Sequence, residues 1–234
     1  MVENERGSGT GNTRFRRKSM AGEVADELRR KILAGEIDEG AQLMQEQLAA
    51  EFGISKVPIR EALFQLEAEG FVLQHFHRGA VVASLSPAQI MELFELRAQI
   101  EVWLLTLAMP VATEQSTAQA REYAELFEKT EDPVVAWDYN WRLHEALYLP
   151  AGKPFIIDHL KKLHSQTARY VRVQYSLALD KTKTVGEHEL LLQLYGTKSP
   201  KAKTCLRDHI LNAATKLTKR LIEIKENRKT TAAE

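Results

Sequence analysis

With 234 residues, 44% of them hydrophobic, the chain has room for one or two domains with a sizeable core. Its one cysteine, Cys205, excludes a disulfide framework and a cysteine zinc site. No apolar run reaches the length of a membrane span and no signal-peptide pattern opens the chain, so a cytoplasmic protein with no membrane partner is expected. The net charge of zero gives no whole-chain support to nucleic-acid binding, so such a role must rest on local placement of charge.

Residues 1–18 are polar and rich in Gly, Ser, Thr and Asn, with Arg14, Arg16, Arg17 and Lys18 at the end. They read as a disordered arm. Ala25 to Leu33 forms an amphipathic helix, with Val24, Leu28 and Ile32 on one side. Gln45 to Phe52 is a second, short helix with Leu48 and Phe52 inward. Gly53 suits the left-handed backbone of a tight turn between helices. Ser55 can cap the next helix through its hydroxyl, and Pro58 is tolerated in a first turn. Ile59, Leu63 and Leu66 make the buried stripe of that helix. Lys56 and Arg60, four apart, share a face away from it. This is the pattern of a helix-turn-helix, whose second helix enters the major groove of duplex DNA. Apolar runs on either side of His75-Phe76-His77-Arg78-Gly79 predict a β-hairpin with Arg78 and Gly79 at its tip. Residues 19–85 therefore read as a winged helix-turn-helix, with Ser55, Lys56, Arg60, Arg78 and Gly79 as the DNA-contacting set.

From residue 86 to about 228 the pattern is helical throughout. Helices are expected from Pro87 to near Pro110, from Ser116 to Lys129, and from Pro133 to Pro150. Three more follow, from Pro154 to about Leu177, from Val185 to Tyr195, and from Ser199 to about Glu226. The expected fold is mainly α: a winged helix-turn-helix with a small hairpin, then an all-α antiparallel helical bundle. Bundles hold ligands between their helices.

Four bundle positions stand out. Asn140 and His144 are four apart on one helix, while His188 and His209 lie on two others. Each His alone is an ordinary polar residue. Together they could surround a divalent metal ion such as zinc, nickel or manganese. Glu187 neighbours His188 but points to another side of its helix. The other histidines, His164 among them, carry no such spacing. With no phosphate loop and no nucleophile motif, an enzyme, even a metal-dependent one, is not expected.

Two stretches resemble known families. Residues 20 to 83 resemble the DNA-binding domain of the GntR family of bacterial transcription regulators. The resemblance rests on Ile32-Leu33-Ala34, Glu36-Ile37, Gly40, Leu43, Leu48-Ala49, Ser55 through Leu63, Glu69-Gly70 and Gly79. Lys56 stands where that family usually has Arg. Residues from about Phe94 to Ile222 are similar to the FCD effector-binding domain of the family's FadR-like branch, through Glu95-Leu96-Arg97, His144, Glu187-His188 and His209. Asn140 replaces that pattern's Asp. The resemblance implies a homodimer on a near-palindromic operator, and more often a repressor than an activator. It implies a small-molecule effector, an organic acid, that completes the coordination of a metal held by Asn140, His144, His188 and His209, with Arg97 contacting the acid. A metal-free pocket for an acyl or other ligand is the alternative within the family.

Overall fold

A computed structural model describes residues 19–76, 78–170 and 178–231. The expected arm of residues 1–18 lies outside them, as do His77 and residues 171–177. Ser19 opens α1 (Met20–Leu33), its hydroxyl accepting from the Gly22 amide at 3.2 Å. The helix begins five residues before the apolar periodicity does, because a cap rather than a hydrophobic residue sets its start. There follow β1 (Gln42–Leu43), α2 (Gln45–Phe52), α3 (Lys56–Ala68), β2 (Val72–His75) and β3 (Gly79–Val82). The hairpin pairs β2 with β3 from Val72↔Val82 to His75↔Gly79. The two-residue β1 was not expected, being too short for any alternation. It adds to the outer edge of β3, with Gln42 opposite Val81. Gly53 takes the expected left-handed turn at φ 66°. Ser55 occupies the N-cap position of α3, but its side chain makes no capping bond, contrary to the sequence reading. Leu28, Ile59, Leu63, Leu66 and Val72 close a core under the wing.

The second half holds α4 (Pro87–Ala108), α5 (Glu114–Lys129), α6 (Pro133–Tyr148), α7 (Pro154–Ser165), α8 (Ala178–Gly196) and α9 (Lys201–Thr231). Ser86 and Gln89 form a reciprocal capping box at α4, and Asp132 caps α6 through its carboxylate. α9 packs along α4, and α5 along α6. Their shared core includes Phe94, Leu104, Leu147, Tyr148, Tyr195 and Leu206.

Two boundaries differ from expectation. α7 stops at Ser165 rather than running on to Leu177. Ser165 and Thr167 turn their hydroxyls back onto the carbonyls of Lys162 and His164, and side-chain bonds of this kind compete with helix continuation. A 3₁₀ turn over Ala168–Tyr170 follows. In the other direction, α8 begins at Ala178, so Asp180-Lys181-Thr182, read as a loop, lies inside a helix. Lys181 is tied there to the carbonyl of Thr130 at the end of α5.

The turn after α7 also joins the two halves. Ser165 Oγ donates to the carbonyl of Glu69 at 3.1 Å, and the Leu85 amide donates to the Tyr170 hydroxyl at 2.8 Å. Ala168 is buried in the winged core, and Trp137 of α6 packs against that core. Gly70 makes the closest approach. Its φ is +81°, and a Cβ there would sit 2.7 Å from Gln166 Cγ. Gly70→Ala is expected to cost about 1–2 kcal/mol from backbone strain alone, and more from the clash. Gly53→Ala, strained at φ +66° but in open space, supplies the comparison. Urea unfolding of the two variants should rank Gly70→Ala as the less stable. Equal destabilisation would show that the seam with Gln166 is loose.

Candidate functional site

α3 presents its N-terminal half outward. Lys56 and Arg60 are exposed on it, while Ile59 and Leu63 are fully buried. Among the described residues Arg60 has no ion-pair partner. Lys56 pairs with Glu46 of α2 at 2.5 Å, and both side chains are exposed, so a phosphate could exchange with that carboxylate. Val57 and Phe64 flank Arg60 and are each 53% exposed. The sequence reading passed over them, although their helical spacing from Arg60 puts them on its face. Apolar groups so placed can meet thymine methyls. At the wing, Arg78 and Gly79 are exposed, and the Arg78 carbonyl accepts a bond from Gln42 of β1. Gly79 has φ +65° with open space around it. β1 thus fixes the wing that carries Arg78.

In the bundle, His144 of α6, His188 of α8 and His209 of α9 come together. One ring nitrogen of each lies within 4.8 Å of the others, and all three are buried. The ring centroids are 5.0–5.6 Å apart. Their surroundings set which nitrogen is free. Tyr148 lies one turn after His144 on α6, and its hydroxyl donates to Glu101 Oε2 at 2.6 Å. Burial and the Glu101 carboxylate push the Tyr148 pKa well up, so the phenol keeps its proton. With that proton committed to Glu101, the 3.2 Å contact between Tyr148 and His144 Nδ1 requires the imidazole to donate. His144 Nε2 then carries the lone pair. The same logic holds for His209, whose Nδ1 lies 2.8 Å from Glu187 Oε2. That bond holds the Glu187 carboxyl below its ordinary range, so it is ionised and can only accept. His209 Nδ1 is therefore the donor in that bond. His188 differs: it is 1% exposed, and among the described residues neither of its buried ring nitrogens has a hydrogen-bond partner. Buried polar atoms are rarely left so.

A cavity of about 250 Å³ opens on this cluster, lined by His144 and His209 together with Asn140, Arg97, His164 and Trp137. Lys216, Lys219 and Arg220 of α9 also line it, with Glu187 and Glu223. It falls just below the roughly 300–1,000 Å³ common for small-molecule pockets, which suits a small ligand. Arg97 is 5% exposed and donates through Nε to Glu101 at 3.0 Å, its guanidinium lying 4.8 Å from the Phe94 ring centroid. A continuous chain therefore runs Arg97–Glu101–Tyr148–His144.

Glu101, Tyr148, Glu187 and His164 are the site residues that sequence reasoning missed. The first two were within reach, since Glu101 is four after Arg97 and Tyr148 four after His144. Glu187 points away from His188, and that direction leads to His209. His164 had no spacing to betray it. It is 3% exposed, stacks on Trp137 with centroids 4.4 Å apart, and has no partner for Nδ1 among the described residues. It is adjacent to Ser165, which bonds the winged half.

Burial, with the neighbouring imidazoles adding to it, holds His144 and His188 well below the ordinary value of 6.5, and burial next to Arg97 does the same for His164. All three are neutral in the folded protein near pH 7. The unfolded chain takes up protons below 6.5 while the folded chain does not, so stability falls as pH drops through that value. The metal-free protein should lose about 1.4 kcal/mol per pH unit for each such imidazole below pH 6.5. Unfolding titrations between pH 7.5 and 5 would check this, and a flat profile would contradict the buried neutral state.

Comparison with known proteins gives two family matches along the chain. Residues 20–82 match the family described as bacterial regulatory proteins, gntR family, and residues 92–212 match the FCD domain. The Escherichia coli transcriptional repressor GlaR is 25% identical over 196 residues, covering 79% of this chain and 89% of its own. The gluconate operon transcriptional repressor of Bacillus subtilis is 26% identical, covering 75% of each chain. Two solved structures share the fold: E. coli McbR, with TM-score 0.69 and 20% identity over 88% of this chain and all of its own, and a GntR regulator from a Rhodococcus species, with TM-score 0.71 and 19% identity over 86% and 98%.

Proposed function

Because the chain belongs to the GntR family of transcription regulators, with an FCD domain as its helical half, we propose that it is a dimeric repressor whose hold on operator DNA is set by a small carboxylate at a metal-bearing pocket. The observation that carries this reading is the convergence of three buried imidazoles. Two donate through Nδ1 to an oriented partner, and the third has no hydrogen-bond partner among the described residues. That donor set fits a divalent ion with nitrogen preference, and the bonds from Tyr148 and Glu187 orient the first two rings as outer-shell partners do. Asn140, on the same face of α6 as His144, offers an amide oxygen but no charge. When bound, the ion would supply positive charge for a carboxylate to meet.

The chain's own residues then have defined tasks. Arg97, Lys216, Lys219 and Arg220 surround the cavity with positive charge and draw an anion in. Trp137 and His164 wall the pocket on the side of the winged half. Trp137 reaches the winged core, and Ser165 and Tyr170 hold Glu69 and Leu85. A ligand that packs differently against Trp137 and His164 in two arrangements of this seam shifts the winged domains by that difference in affinity and no more. Lys56 and Arg60 read the major groove, with Arg78 and Gly79 at the wing.

Elemental analysis of the purified protein, paired with zinc, nickel and manganese titrations of the chelator-treated form, tests the metal. Asn140→Asp should tighten binding, because it places a negative charge beside the ion. Absence of metal after expression in metal-replete medium, with no stabilisation by any of the three ions, would leave a metal-free pocket anchored on Arg97.

A further inference from the structure

The imidazole cluster is reached from two sides. His144 and His209 line the cavity described above, and His188 does not. His188 instead lines a second cavity, of about 400 Å³, between α5 and α8. Its ring packs edge-on against Phe127 of α5, and neither of its buried nitrogens has a hydrogen-bond partner among the described residues. The two cavities differ in charge. The first has Arg97, Lys216, Lys219 and Arg220 on its walls, and its carboxylates Glu187 and Glu223 are bonded to His209 and Arg220. The second has Glu125, Glu128 and Glu189 against Arg121, all four exposed. A cleft lined by charge of one sign concentrates the opposite ion and speeds its entry.

We propose that the second cavity is the entry route of the metal: a divalent cation comes in between α5 and α8 and meets His188 first, while the anionic ligand uses the basic cavity. The inference rests on the metal reading above and adds how the site is loaded. Four cationic side chains repel a divalent ion from the basic side, and three carboxylates draw it to the other. Among the described residues these carboxylates form no ligand set of their own, so they attract the ion without trapping it. The pair of Glu125 with Lys129, 3.4 Å apart and exposed, offsets little of this field. Metal and ligand then enter by separate openings, and the metal can exchange while the ligand is in place.

Stopped-flow uptake of zinc by the chelator-treated full-length protein tests the route. Glu128→Lys and Glu189→Lys, both at exposed positions, should each slow uptake about fivefold or more at low salt, and the gap should close as salt is raised. Glu122→Lys makes the same charge change on α5 outside the cavity and should leave the rate within about twofold. Ala124→Trp narrows the groove without adding charge. It should slow uptake and release together and leave the zinc dissociation constant nearly unchanged. Uptake unchanged in all three groove variants, or accelerated by Lys219→Glu in the basic cavity, would overturn the route while keeping the site. Equal slowing by Glu122→Lys would reduce the effect to overall charge and overturn the route as well. A wild type that takes up no zinc would overturn the metal reading, and the route with it.

Discussion

His188→Ala is expected to purify without metal and to lose the stabilisation that zinc gives the wild type. His188 enters the cluster from α8, its ring centroid 5.6 Å from that of His144 and 5.0 Å from that of His209, and among the described residues neither of its ring nitrogens has a hydrogen-bond partner. With free zinc at a hundred times the dissociation constant, the wild type should gain about 2.7 kcal/mol, and the variant a small fraction of that. The substitution also removes the edge-on packing of His188 against Phe127, so the metal-free baselines of the two proteins will differ. The decisive quantity is therefore the zinc-induced shift in each, read by thermal unfolding with and without chelator. DNA binding of the metal-free forms should stay similar, because the winged half closes its own core around Leu28, Ile59 and Leu63. An equal zinc shift in both proteins would remove His188 from the ligand set.

The second large effect belongs to α3. Arg60→Ala should cost about 1–3 kcal/mol for the bidentate hydrogen bonding to a base that it abolishes, and roughly twice that on an operator that engages both copies. The effect should be specific to the cognate sequence. Lys56→Ala, by contrast, should weaken cognate and scrambled duplexes alike and reduce the salt dependence of binding, as removal of a phosphate-binding cation does. Val57 and Phe64 stand on the same face, so Phe64→Ala should lower cognate affinity without touching the salt slope if they meet thymine methyls. Unchanged sequence preference in Arg60→Ala would mean that α3 is not the reading helix.

Much of this architecture is local, and local physics is legible in a sequence. Gly53, Pro58 and the Ile59, Leu63, Leu66 stripe specify a turn and a helix within fourteen residues. The His144 and Asn140 spacing specifies one face of α6. What was missed depends on distance in the chain or on competition between bonds. The end of α7 is decided by hydroxyls of Ser165 and Thr167 and by Tyr170 reaching Leu85, 85 residues away in sequence. β1 exists only because β3 offers an edge. Ser55 sits where a cap belongs, yet its hydroxyl makes no capping bond, since residue type states an ability and not its use. Glu187 illustrates the same limit. One helix face was assumed to serve one site, but α8 sends His188 into the cluster and Glu187 around it to orient His209.

The joint between pocket and reading helix is the heart of the proposed mechanism, and Trp137, His164 and the turn from Ser165 to Tyr170 form it. The most direct measurement is selection of duplexes from a random pool by the full-length protein, followed by titration of the enriched duplex with metal-loaded and chelator-treated protein. The expected result is an inverted repeat whose two halves are each protected, bound with an affinity that changes when the imidazole site is emptied and that is insensitive to chelator in His188→Ala. Enrichment of no sequence, or of one bound with equal affinity whether or not the pocket is loaded, would contradict regulation of α3 from the imidazole site.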